Sequence, residues 1–188
     1  PDMKRPLGYL RQINIVGGNV TVDDHQLAVK WLAPETDIAL VREGEKVSLS
    51  AELALTADGA NSRNSAAFTL MGDYDLLKKE AKITLGFADL NPVVFAPLSE
   101  KLKLLKSFDL PLSGTLDTIV QTDGEIRKFE FNLTSSEGRI ASNDPIKIDI
   151  AVQTSKIRGD FDQTTGRLNI QEMILDLGAD GRLKLPAP

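Results

Sequence analysis

The stretch Lys46-Val47-Ser48-Leu49-Ser50-Ala51-Glu52-Leu53-Ala54-Leu55-Thr56 alternates apolar and polar side chains along its length. Successive side chains of a β-strand point to opposite faces. Val47, Leu49, Ala51, Leu53 and Leu55 therefore share one face, while Ser48, Ser50, Glu52 and Thr56 share the other. One dry face and one wet face is the pattern of an antiparallel sheet. The strand is also long, because runs of this kind span roughly 25–35 Å at the usual rise.

The same alternation extends in both directions. Towards the start, Ile13 and Ile15 form one strand, Gly17-Gly18 a tight turn, and Val20 and Val22 the next strand. Paired glycines suit such a hairpin because they accept positive φ. Leu27, Val29 and Trp31 mark a third strand that Pro34 ends, since proline cannot donate to a ladder. Ile38 to Val41 form a fourth, turned by Gly44. After a loop at Asp58-Gly59-Ala60-Asn61-Ser62, dry rows recur at Phe68, Leu70 and Tyr74, then at Ile83, Leu85 and Phe87. Further on they recur at Leu112, Leu116 and Val120, at Phe129, Phe131 and Leu133, and at Ile146, Ile148, Ile150 and Val152. Ile157, Gly159 and Phe161 follow. Leu168 and Ile170 then give way to Met173, Leu175 and Leu177, a change of parity that predicts a bulge near Gln171-Glu172. Most connections are short and contain Gly, Asp or Asn, which predicts an antiparallel meander.

One segment breaks the pattern. Asn91-Pro92 reads as a helix start, with Asn as cap and Pro at the first helical position. Pro97 interrupts it. Leu98, Leu102 and Leu105 then recur at helical spacing with Leu104 beside them, and Lys101, Lys103 and Lys106 take much of the remaining surface. Two roles stay open: an amphipathic helix lying on a sheet edge, or the lining of an opening whose lysines meet anionic head groups. On either side the chain repeats itself. Gly72-Asp73-Tyr74-Asp75, Ile83 and Asp89-Leu90 return 87 positions later as Gly159-Asp160-Phe161-Asp162, Ile170 and Asp176-Leu177. The expected organisation is a first β unit over 1–90, a crossing amphipathic helix over 91–108, and a second β unit over 109–188. The fold class is all-β: one long antiparallel curled sheet of two similar units with one short crossing helix.

Composition narrows the function. Hydrophobic residues make up 41% of 188, enough for a core, while net charge is −5 with both signs mixed along the chain. A phosphate-backbone binder needs a basic stripe, so nucleic acid is not an expected partner. Without cysteine there are no disulfides and no cysteine-ligated zinc, and the compartment stays open. No apolar run approaches membrane-spanning length, and no charged start precedes a hydrophobic signal segment. Pro1 and Leu185-Pro186-Ala187-Pro188 read as cut points, so the chain is expected to be an internal or C-terminal segment of a longer protein.

Chemistry-bearing motifs do not assemble. His25, the only histidine, follows Asp23-Asp24, but adjacent strand residues point apart and no second cluster completes a metal shell. No nucleophile elbow or glycine-rich phosphate loop occurs. Asp73/Asp75 and Asp160/Asp162 recur with the β unit, which suits turns, with calcium as the alternative. Arg158-Gly159-Asp160 lies within an alternating strand. Asn19-Val20-Thr21 and Asn132-Leu133-Thr134 match a glycosylation triplet short enough to occur by chance. An enzyme is not expected, nor is a cofactor. Function must come from the dry face, which one short helix cannot cover.

Three runs carry a resemblance: Leu10-Arg-Gln-Ile13-Asn-Ile15 into Gly18-Asn-Val20-Thr-Val22, Ala88-Asp-Leu90-Asn-Pro92 with its helix, and Pro111-Leu-Ser-Gly114. Together with the Gly-Asp-Tyr/Phe-Asp strands and the runs ending in Asp-Leu, they make most of the chain resemble the AsmA-like superfamily of Gram-negative envelope proteins, which includes TamB. The resemblance implies a repeating β-groove in the periplasm, anchored in the inner membrane by a helix elsewhere in the full chain. It also implies a partner at the outer membrane and an apolar interior that carries phospholipid acyl chains between the membranes. The residues expected to form that interior are Leu49, Leu53, Phe68, Leu70, Leu85, Phe87, Phe129, Phe131, Ile148 and Ile150. The competing expectation is a structural or adhesive β-repeat module whose dry faces pack shut.

Overall fold

A computed structural model describes residues 10–25, 29–57, 66–98, 100–121, 126–142 and 147–185. Among them the alternating runs become thirteen strands: β1 (Gln12–Asp24), β2 (Val29–Glu43), β3 (Lys46–Ala57), β4 (Ala66–Asp75), β5 (Glu80–Leu90), β6 (Phe108–Asp109), β7 (Leu112–Gln121), β8 (Ile126–Ser135), β9 (Gly138–Ser142), β10 (Ile148–Val152), β11 (Thr154–Asp162), β12 (Arg167–Asp176) and β13 (Arg182–Leu185). Ten of them form one antiparallel sheet in the order β1-β2-β3-β4-β5-β7-β8-β11-β12-β13. The outermost strands, β1 and β13, each pair on one side only, so the sheet does not close into a barrel.

The sheet runs unbroken from β5 to β7, across the helical interruption in the sequence. Its two related hairpins share one register. Gly72 faces Ile83 and Tyr74 faces Ala81 between β4 and β5; Gly159 faces Ile170 and Phe161 faces Leu168 between β11 and β12. The predicted bulge is present, because Arg158 pairs with Glu172 while Gly159 pairs with Ile170, leaving Gln171 as the extra residue. Asp75 and Asp162 act in their turns: Asp75 Oδ1 accepts from the N–H groups of Leu77 (2.9 Å) and Lys78 (3.0 Å), and Asp162 Oδ1 from that of Thr165 (3.0 Å). Asp73 and Asp160 do not; they bond across strands instead.

Two expected chain reversals are absent. Gly17-Gly18 is a bulge within a single thirteen-residue strand, β1, and Pro34 does not end a strand but lies inside β2. The irregularities oppose each other: Ile15 pairs with Ile38 and Val20 with Ala33, with Gly18 against Thr36 between them. Gly17 and Glu35 take positive φ (63° and 57°), the backbone excursion a bulge demands. Proline is tolerated there because a bulge leaves an N–H out of the ladder. Each strand shifts parity at the same height, so Ile13, Ile15, Val20 and Val22 all remain on one face.

The interruption itself folds as two 3₁₀ segments, Pro92–Leu98 and Glu100–Ser107, not as an α-helix. A third short one spans Gly178–Asp180. Pro97 falls inside the first segment. Asn91 caps the start, its Oδ1 accepting from Val93 N–H at 3.2 Å, and its Nδ2 donates to Asp109 Oδ1 at 3.0 Å. That second bond ties the two feet of the excursion together.

The remaining strands form a second sheet in the order β10-β9-β6. The chain leaves the main sheet after Ser135, builds β9 and β10, and rejoins it at Thr154. Alternation inside β10 reads the same in either sheet, so Ile148 and Ile150, expected on the large face, lie on the small one. Ile150 pairs with Ile140, which also pairs with Phe108.

Candidate functional site

Directly opposed residues of an antiparallel pair share a face, so register alone assembles the dry surface. One row crosses eight successive strands: Ile38, Ala51, Leu70, Leu85, Leu116, Phe131, Gly159, Ile170. The row beside it reads Leu53, Phe68, Phe87, Gly114, Leu133, Ile157. Eight of the ten residues expected from sequence therefore share one surface: Leu49, Leu53, Phe68, Leu70, Leu85, Phe87, Phe129 and Phe131. Of these only Phe131 is buried, at 9% exposure, and the other seven are half-buried. Tyr74 and Phe161 lie on the same face. Aromatic pairs bridge adjacent strands, Phe68 with Phe87 at 6.4 Å between centroids and Phe129 with Phe161 at 5.4 Å. Gly159 makes room for Phe131, since a Cβ there would come within 2.8 Å of the end of its ring.

Little covers this face. Large apolar side chains left half-buried contribute only part of the ~1.5–3 kcal/mol that full burial brings.

The opposite face is polar and bonded strand to strand. Ser48 donates to Asp73 at 2.7 Å and Thr84 to Asp117 at 2.6 Å. Lys156 pairs with Glu172 at 2.8 Å. Asp117, Glu130 and Asp160 stand in one row on β7, β8 and β11, where like charges repel. Lys128 lies 3.7 Å from Glu130 and 3.5 Å from Asp160. Asn169 and Gln171 each donate to Asp160 at 3.1 Å. The Asn169 amide, then that of Gln171 and the Lys128 ammonium, hold the Asp160 carboxyl below the usual carboxylate range against its partial desolvation. A depressed pKa stabilises the fold above the unfolded-state value of about 3.9, and the stabilisation is lost as pH falls through the lower folded value. Asp160→Asn is therefore expected to flatten the decline in stability below about pH 4. Urea melts at stepped pH check this, and superimposable acid limbs for the two proteins would refute it. Among the described residues no group of three or more His, Asp or Glu is placed to hold a metal, and His25 sits in an exposed turn.

At one end of the strands the 3₁₀ segments roof the dry face. Val22, Trp31, Leu55, Phe68 and Leu90 form the floor; Phe95, Leu102 and Leu105 form the roof; a cavity of about 300 Å³ lies between. Side chains three apart eclipse in a 3₁₀ helix, so Leu102 and Leu105 point the same way, inward, while Leu104 is 72% exposed. Phe95 rests on Trp31 at 5.5 Å between ring centroids. Among the roof lysines, Lys103 pairs with Glu100 on the surface, and Lys106 is exposed.

No family model, curated protein or solved structure matches this chain. The functional reading therefore stands on geometry. Of the roofed floor, sequence reasoning singled out Phe68 alone as a site residue. Trp31 was legible as a dry-face residue, but its contact with Phe95 joins distant parts of the chain and leaves no local signal.

Proposed function

We propose that this chain is a segment of a periplasmic, inner-membrane-anchored bridge-like protein whose sheet curls around its apolar face and carries phospholipid acyl chains between the inner and outer membranes. The observation that supports this reading is the dry face itself, which extends over ten strands with most of its large side chains half-buried and several of those on the outer strands exposed. At about 4.8 Å per strand such a face is roughly 43 Å wide. Each buried methylene of an acyl chain is worth about 0.8 kcal/mol. Because strand after strand offers similar apolar positions, a chain moving across them exchanges one contact for an equivalent one. The polar head group stays in water at the rim.

A photo-crosslinking amino acid at Leu49, Leu70, Leu85 or Phe87 is expected to capture several-fold more phospholipid than one at Ser48 or Ser50. Equal capture at the two sets would remove the support for a lipid-carrying face and leave the structural or adhesive module.

A further inference from the structure

We propose that the cavity beneath the 3₁₀ segments seats the methyl end of a single unbranched hydrocarbon chain, an inference that rests on the lipid-carrying reading and adds a discrete holding point to it. The cavity is bounded only by hydrocarbon and aromatic side chains, and the sole polar atom they carry is the indole nitrogen of Trp31. A peptide strand or helix placed there would bring backbone N–H and C=O groups that nothing could satisfy. A head group fares worse. A methylene chain makes no such demand. At about 300 Å³ the space lies at the small end of ligand cavities, suited to one chain rather than a whole lipid. Access comes from the open face, because Phe68 belongs both to the row Leu53–Phe68–Phe87 and to the cavity floor. A chain lying along that row passes under Leu102 and Leu105 without crossing a polar group. Phe95, 5.5 Å from Trp31 between ring centroids, forms part of the cavity's wall.

The protein carries its own probe, since Trp31 is its only tryptophan. Bromine on a hydrocarbon chain quenches indole fluorescence on contact. Fatty acids brominated near the carboxyl, at mid-chain or near the methyl end are titrated below their micelle-forming concentrations, alongside phospholipids brominated in the same places. The expected result is saturable quenching that deepens as bromine moves towards the methyl end. Quenching by both sources identifies a seat that reads the chain alone, and quenching by one identifies the source. Filling the seat with Leu105→Phe should weaken the apparent affinity by about tenfold, the scale set by a methylene-sized change in an apolar pocket. Absent quenching, or quenching independent of bromine position, would overturn the proposal. Crosslinking on the open face separates the two readings. Lipid captured at Leu85 with Trp31 unquenched removes the seat and leaves the carrier. Methyl-end quenching with no capture at Leu85 removes the carrier and leaves the seat.

Discussion

Replacing Phe131 with aspartate should leave the sheet folded and strip it of lipid. Phe131 lies in mid-strand between Phe129 and Leu133, with Leu116 and Gly159 directly opposite on its two neighbours. Its ring covers the bare backbone of Gly159, and the substitution forfeits that packing. Phe131 is buried, at 9% exposure, but if the face is open the shorter carboxylate that replaces its ring meets water whenever no lipid is present. The loss is then that of an ordinary substitution, about 1–2 kcal/mol, or a fall in Tm of about 2–8 °C for a chain of this length. If the face were packed shut, an unpaired buried charge would cost several kcal/mol and approach the whole stability of the domain. Acyl chains cannot solvate a carboxylate, so lipid content should fall sharply. Ser50→Asp, on the exposed wet face, should change neither property. Thermal melts with lipid quantification on the three proteins decide the matter. A folded Phe131→Asp protein with normal lipid content would count against the conduit, and an unfolded one would favour the packed module.

How legible these features were depended on the range of the signal. Period-two alternation identified the strands and placed eight of the ten expected residues on one face, because a strand's parity is local and its neighbours must match it. The readings that needed correction share a cause. Gly17-Gly18 looks like a hairpin because glycine pairs serve turns and bulges alike. The parity change from Ile13 and Ile15 to Val20 and Val22 points to a bulge, and the same kind of change did locate the bulge at Gln171. Pro34 was read from its missing donor, which at a bulge is not missed. Leu98, Leu102 and Leu105 have α-helical spacing on paper. Only the three-residue interval from Leu102 to Leu105 survives in 3₁₀ geometry, and it is those two that reach the cavity. Ile148 and Ile150 alternate like their neighbours, yet which sheet a strand joins depends on pairings tens of residues away.

Val152→Asp should destabilise the protein far more than Phe131→Asp, although both put a carboxylate in place of an apolar strand residue. Val152 is 1% exposed and is the largest fully buried apolar side chain among the described residues. It pairs with Gly138. Gly138 has no room for a Cβ, which would sit 2.3 Å from that of Leu110, and Leu110 is itself only 3% exposed. The site is closed on every side, so a carboxylate there keeps neither water nor a partner. The cost should exceed about 4 kcal/mol, in the range reserved for buried unpaired charge, and Tm should fall by at least about 8 °C. The damage should also spread. β9 holds β6, and β6 begins where the second 3₁₀ segment ends, so loosening the small sheet loosens the roof over Trp31. Trp31 emission should therefore shift to longer wavelength at temperatures where the main sheet still holds its far-ultraviolet dichroism. A Val152→Asp protein that melts within about 2 °C of the parent would contradict the closed packing at this end of the fold. A large fall there beside a small one for Phe131→Asp would separate a face open to water from a site closed to it.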